Sequence, residues 1–299
     1  MFKYEIFGMN VLSEIELGCY QARFDTVDVT IKRCGFHSDK NAVSGLAKIS
    51  KDSYWFYIKG VGSFEIKDGC EILLYPEVDC SLRTVEMYVL GTCFGVLMIQ
   101  NGDFPLHGSF VMYKNAGIGI IGDSGAGKTS LASGFSLTEG KIVTDDVMRI
   151  TYELDNPYVN ASYPSQKIWG NTASELSINV DKSKPILNRM NKYYRDEKEA
   201  FFKDKVRLEY LFEIIEADVN KVEIVEVFAA DGLELLIRNT YRSYVLYHMI
   251  KLKDHLMYMM RLNSYVRTFV IKRPIGQFTV NEQIEAIEFI LGEQNEQIS

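Results

Sequence analysis

"GDSGAGKTS", residues 122–130, decides how the rest of this chain is read. It fits G-x-x-x-x-G-K-[ST], the pattern in which a glycine-rich turn leads from a strand into a helix and cups phosphate. The flanks supply that context. "GIGII" at 117–121 reads as a strand and "KTSLASGF" at 128–135 reads as a helix. Glycines let the backbone curl until successive N–H groups point inward. The positive end of the helix that starts near Gly127 adds to that field. Gly122, Asp123, Ser124, Gly125, Ala126, Gly127, Lys128, Thr129 and Ser130 are therefore the candidate nucleotide-binding residues. Lys128 is suited to the β- and γ-phosphates, and the Thr129 hydroxyl to Mg2+.

Working outward, "KIVTDD" at 141–146 reads as an apolar strand ending in two carboxylates, Asp145 and Asp146. Only one short helix separates it from the glycine turn, so strand, turn, helix and strand read as a βαβ unit with parallel strands. The phosphate loop and the carboxylates then share the C-terminal edge of a sheet, where open α/β sheets bind ligands. Two carboxylates beside a triphosphate suit a metal shell and a proton acceptor for an attacking hydroxyl. On the other side, "FPLHGSFVMY" and "GIGIIG" read as a hairpin closed at "KNAG". A two-residue loop closing Lys114 against Gly117 would set His107 opposite Ser124, at the mouth of the turn. An imidazole there can hydrogen-bond or stabilise a transferring phosphoryl group.

"HGSF" at 107–110, "GDSGAGKTS" fifteen residues after the histidine, and "VTDD" at 143–146 together resemble the catalytic domain of HPr kinase/phosphorylase. The resemblance implies a P-loop core of the kind shared with phosphoenolpyruvate carboxykinases. It implies ATP on the backbone of 122–130 and on Lys128, Mg2+ on Thr129, Asp146 as the proton acceptor and His107 as the active-site histidine; of the carboxylate pair, Asp145 is then the one read as joining Thr129 on the metal. "YEIFGMNVLSEIEL" at 4–17, "YPSQKIW" at 163–169 and "NTYR" at 239–242 are similar to the short branch of HPr-kinase-like proteins, of roughly 300 residues. Some members of that branch phosphorylate a serine of a lasso-peptide precursor. The implied reaction is ATP- and Mg2+-dependent phosphorylation of a serine hydroxyl on a peptide or small protein. Kinase action on free serine and nucleotide sensing without turnover remain open beside it. Three departures from the bifunctional enzymes stand out, the first being an N-terminal part that is shorter and does not look like theirs. Asn171 occupies the position of the bifunctional enzymes' downstream metal-binding glutamate, with Glu175 the nearest alternative, and their later glycine-rich signature is missing.

The remainder gives an α/β (α+β) chain. Residues 1–80 read as a small β-rich N-terminal region, and 81–299 as the catalytic domain. "SLRTVEMYVLGTCFGVLMIQ" at 81–100 reads as a buried helix with Ser81 as N-cap, too short in its apolar stretch to span a membrane. Residues 182–205, rich in Lys and Arg, read as a loop or a solvated helix. A long helix is expected from about Leu233 to Leu262, with Arg238 and Arg242 on one face. Trp169 is expected in the core. The net charge of −7 argues against a nucleic-acid binder. Five cysteines without a C-x-x-C pair read as reduced thiols, consistent with the cytoplasm. No membrane partner is expected, and a homo-oligomer stays open.

Overall fold

Short β-branched and aromatic runs, broken by Gly and Asp, build the N-terminal sheet. Its strands are β1 (Phe2–Ile6), β2 (Met9–Ser13), β3 (Val29–Arg33), β4 (Ala47–Ile49), β5 (Ser53–Ile58), β6 (Gly62–Lys67) and β7 (Glu71–Pro76), in the order β1-β2-β3-β7-β6-β5-β4. The computed structural model describes residues 1–35, 44–45, 47–180, 186 and 191–297, and side chains up to 292. Alternate positions point inward, as with Tyr54 and Phe56 on β5. An apolar helical stretch accompanies the sheet: α1 (Leu82–Tyr88), a π-helical turn at Val89–Cys93 and α2 (Phe94–Gln100). The Tyr88 ring lies 5.6 Å from that of Phe64, and Phe94 lies 5.7 Å from Phe7.

The expectation of too short an apolar run needs correcting. Leu82–Gln100 is helical throughout, because the π turn carries it across Gly91 and Thr92, and it is long and apolar enough to cross a membrane. Its apolar window is 72% buried inside the protein, as a core helix requires. Ser81 does precede it, but caps with its carbonyl, which accepts from the N–H of Thr84 and Val85, and not with its side chain.

The chain forms two compact units. The first is Met1–Pro105 with Tyr241–Leu256, and the second is Leu106–Thr240 with Met257–Ser299. The sequence division at residue 80 falls between the N-terminal sheet and the helix that packs on it, whereas the compact boundary falls after that helix.

In the second unit, β8 (Gly108–Tyr113) and β9 (Ala116–Ile121) form a hairpin, followed by α3 (Lys128–Ser136) and β10 (Lys141–Thr144). Tyr113 pairs with Ala116, so the loop is Lys114–Asn115, with φ of 49° and 65°. Both residues are left-handed, as a type I′ turn demands. Gly108 therefore faces Ile121, and the register carries His107 to Gly122 rather than to Ser124.

β11 (Ile150–Glu153), β12 (Asn156–Val159), β13 (Ser165–Trp169), α4 (Gly170–Glu175), β14 (Lys192–Asp196), β15 (Val206–Arg207), β16 (Tyr210–Ala217), β17 (Glu223–Val227) and α5 (Ala229–Arg238) come next. After α6 (Ser243–Met249) and α7 (Leu252–Asn263), the chain closes with β18 (Arg267–Pro274) and α8 (Val280–Gln297). The main sheet runs β10-β8-β9-β16-β18-β17. β10 is antiparallel to β8, and β8 to β9, so β10 runs in the direction of β9 with β8 between them. The expected parallel direction holds, but the two strands are not neighbours. One edge of the sheet thus collects the ends of β9 and β10 and the start of β8.

Leu131 and Phe135 of α3 and Val280, Ile284 and Ile287 of α8 share a core with Ile118, Phe212, Phe269 and Ile271 of the sheet. That packing fixes where α3 begins, and so fixes the glycine turn.

Four expectations change. Lys192–Asp196 of the basic run is a strand, paired with β13, while 182–185 and 187–190 lie outside the described residues. The long helical region is three helices: left-handed Arg242, with φ of 47°, stands between α5 and α6, and extended Ile250 ends α6 before α7. Arg238 pairs with Glu213 in the second unit, and Arg242 belongs to the first, so they share no helix face. Trp169 ends β13 with 40% of its surface exposed and Lys192 Nζ 5.2 Å from its ring centroid, so it is not a core residue.

Candidate functional site

The glycine turn is held by bonds made at both of its ends. Gly122 has φ of 138°, and a Cβ there would stand 2.6 Å from the Ile214 carbonyl oxygen, so only glycine fits. Its N–H donates to Asn239 Oδ1 at 3.0 Å. At the far end Gly127, with φ of 114°, is the N-cap of α3, and its carbonyl accepts from Leu131 N–H at 2.9 Å. Arg273 donates from Nε to the Ala126 carbonyl at 3.0 Å and pairs with Glu216 at 2.8 Å. Asp123, Ser124 and Gly125 form an exposed crest, and a Cβ on Gly125 would meet nothing within 4 Å.

Lys128 is buried, and its Nζ donates back to the carbonyls of Gly122 at 2.7 Å and Asp123 at 3.0 Å. Those two bonds hold the ammonium inside the curl of the turn. Burial pulls its pKa down, against the pull of Asp146, Asp145 and Asp123. Thr129, one residue on, donates from Oγ1 to Asp145 Oδ1 at 3.1 Å. Ser130 faces α4 and shares a hydrogen bond of 3.0 Å with Thr172.

The acid pair sits in a tight turn after β10, closed by Thr144 Oγ1 donating to the Val147 carbonyl at 2.6 Å. The two carboxylates are pushed in opposite directions. Asp145 is buried, and burial raises its pKa, although Ser109 Oγ donates to Oδ1 at 2.6 Å and Thr129 adds a second donor. Asp146 also feels burial, but the Lys167 ammonium at 2.9 Å and His107 Nδ1 at 3.5 Å overcome it and hold this carboxyl well below the usual range. Asp146 has φ of 78°, which is rare for a residue with a Cβ and is kept here by the contacts around it. His107 Nδ1 also lies 2.9 Å from the Asp146 carbonyl oxygen.

The structure therefore gathers Lys128, Thr129, Asp145, Asp146 and His107 at one sheet edge, the gathering expected from the sequence. Glu175 and Asn171 are exposed on α4. Among the described residues no group of three or more His, Cys, Asp and Glu side chains could hold a metal ion. Asp145 with Thr129 offers two hard oxygen donors, and a buried carboxylate with a raised pKa is a group that a divalent cation would return to its ionised form. These residues fit Mg2+, which keeps waters and phosphate oxygens as its other ligands.

Four contributors escape a reading of motifs. Ser109 lies inside "HGSF", two residues past the histidine, and so on the same strand face. Lys167 lies at the partly exposed alternate of β13, between buried Gln166 and Ile168. Asn239 takes the Gly122 N–H on its side chain and the His107 N–H on its carbonyl at 2.8 Å, tying the two halves of the site together. Arg273 stands at the end of β18, in the stretch "IKRP" that carries no signal of its own. For Lys167, period-two alternation was the available clue.

No protein-family model matches the chain, and no curated protein matches it. Among solved structures it is similar to the Hpr(Ser) kinase/phosphatase from Coxiella burnetii, at 10% identity and a TM-score of 0.35, over 65% of this chain and 99% of that one. At that level of superposition the likeness fixes neither fold nor function.

Proposed function

We propose that this protein is a cytoplasmic ATP- and Mg2+-dependent kinase of the HPr-kinase-like type, which transfers the γ-phosphoryl group to a serine hydroxyl of a peptide or small protein. A lasso-peptide precursor is the first acceptor to try. One observation carries the reading: the open glycine turn, with Lys128 folded into it, stands at the same sheet edge as Thr129, Asp145, Asp146 and His107.

In this reading the inward amides of 122–130 and the Lys128 ammonium hold the β- and γ-phosphates of ATP. Thr129 and Asp145 hold Mg2+, which when bound neutralises charge on the phosphate oxygens. His107, held at Asp146 through Nδ1, would steady the phosphoryl group. Asp146 accepts the hydrogen bond of the acceptor hydroxyl. The acceptor oxygen bonds to the γ-phosphorus as the bond to the leaving ADP oxygen breaks. A carboxylate with so low a pKa is a weak base, so the proton passes to Asp146 late, after the new O–P bond has made the hydroxyl acidic. Positioning and charge stabilisation carry the reaction.

The test is transfer of radiolabel from γ-labelled ATP, comparing serine peptides with free serine. Peptide labelling is expected. Asp146→Asn is expected to lower it by about 10²–10⁴-fold while ATP binding remains. Labelling of free serine alone would move the reading to a small-molecule kinase. ATP binding with no transfer to either would move it to a nucleotide sensor.

A further inference from the structure

Outside the catalytic edge, the first unit holds a cation, Arg242, that pairs with no carboxylate among the described residues. The Arg242 guanidinium donates from Nε to the Tyr241 hydroxyl at 3.1 Å, from Nη1 to the Tyr244 hydroxyl at 2.7 Å and from Nη2 to Thr92 Oγ1 at 2.8 Å. Tyr54 joins through its hydroxyl, 3.4 Å from that of Tyr244. Thr92, Tyr241 and Tyr54 are buried, and Arg242 is partly buried. Among the described residues no carboxylate forms an ion pair with Arg242. Buried arginines are ordinarily paired with an acid, because removing an uncompensated charge from water is expensive.

The donor count makes the same point. A guanidinium carries five N–H donors and no acceptor. Three are used here on neutral hydroxyls, which leaves two without an acceptor among the described residues. Two backbone irregularities frame the group. Arg242 has φ of 47°, a left-handed conformation unfavourable for a residue with a Cβ, and Thr92 lies on the π-helical turn Val89–Cys93. Such turns and strained residues concentrate at sites that bind something. Tyr244, 51% exposed, marks the solvent side of the cluster.

We propose that Arg242, with Thr92, Tyr241 and Tyr244, binds an oxyanion: the carboxylate or phosphate group of a small metabolite. The planar guanidinium fork matches two oxygens of either group, and charge-assisted bonds of this kind are the strong ones. The site is independent of phosphate transfer and gives the N-terminal unit a ligand of its own.

The test uses the full chain carrying Lys128→Ala, so that phosphate held at the glycine turn does not mask the second site. Inorganic phosphate and succinate are titrated separately by calorimetry at neutral pH. At least one binds, with Kd of about 1 mM or tighter for so small a ligand. Binding of phosphate alone identifies a phosphate-bearing ligand, and binding of succinate alone a carboxylate. Adding Arg242→Gln weakens it tenfold or more. Adding Tyr244→Phe, a milder change that removes one hydroxyl from the cluster, weakens it about threefold. Absence of binding for both anions, or affinities unchanged by both added substitutions, overturns the proposal.

Discussion

The glycine turn and the acid turn stand at one sheet edge and are built by opposite means. The first is made from contiguous residues, 122–130, and is built through its backbone: three positive-φ glycines and a lysine bonded to the turn's own carbonyls. The second is assembled from five places in the chain and works through side-chain charge. Ser109, Thr129, Lys167 and His107 converge on Asp145 and Asp146 and move their pKa values apart. Adjacent carboxylates in one turn therefore take different work. In the proposed reaction Asp145, bonded to the Ser109 and Thr129 hydroxyls, would hold the cation, and Asp146, paired with Lys167 and His107, would orient the hydroxyl.

The contrast breaks first at Lys128. Lys128→Ala removes the only side-chain charge the glycine turn contains besides Asp123. Transfer is expected to fall by about 10²–10³-fold, and ATP affinity to weaken about tenfold or more, by radiolabel transfer and by titration calorimetry. ATP affinity equal to wild type would mean that the turn does not use its lysine on phosphate.

The acid turn is tested next by Lys167→Met. With the ammonium gone, the Asp146 pKa rises towards that of an ordinary carboxylate. Activity requires the ionised form, so the acid limb of the pH–rate profile moves to higher pH, and the rate at neutral pH falls about tenfold because the carboxylate is held less firmly. An unmoved acid limb would leave His107 and the turn itself as the source of the low pKa.

The two regions were unequally legible in the sequence for the same reason that they differ physically. A loop that works through contiguous backbone writes itself as a motif, so 122–130 could be read directly. The acid pair was visible as two letters at a strand end, but its control was not. Lys167 and Asn239 reach the site only after a hairpin and a helix end are placed by the fold. The β8–β9 register missed by two positions because "KNAG" permits two closures, and the left-handed Lys114–Asn115 pair selects one. The expected long helical region breaks first at Asn239–Arg242, where Asn239 caps α5 and Arg242 turns left-handed. Arg242 in its left-handed conformation has one partner far away in sequence, Thr92 on the π-helical turn.

A third experiment concerns the ground behind the acid turn. Glu197 is buried beside Arg195 at 2.6 Å, and burial, with a contribution from Asp145, outweighs that partner and pushes its pKa up to about 7. A folded-state pKa above the unfolded value means stability that is full below about pH 4.5 and is lost as pH rises through 7. Glu197→Gln should flatten that slope, gaining roughly 3 kcal/mol relative to wild type at pH 8. Denaturant melts at pH 5 and pH 8 read it. A gain of the same size at both pH values would place the effect in packing and not in titration.

The smallest effect sharpens the comparison most, because Asn239 serves both regions. Its side chain accepts the Gly122 N–H and donates to Glu213 Oε1 at 2.8 Å, and its carbonyl holds the His107 N–H. Asn239→Ala leaves the carbonyl bond to the histidine strand intact and orphans the buried Gly122 N–H. That loss costs about 1–3 kcal/mol of stability. The glycine turn should loosen while the acid turn does not. ATP affinity is then expected to drop, while the acid limb of the pH–rate profile stays where it is in wild type. If the acid limb moved as well, the two turns would share one mechanical unit, and the division between a backbone-built cradle and a charge-built turn would have to be abandoned.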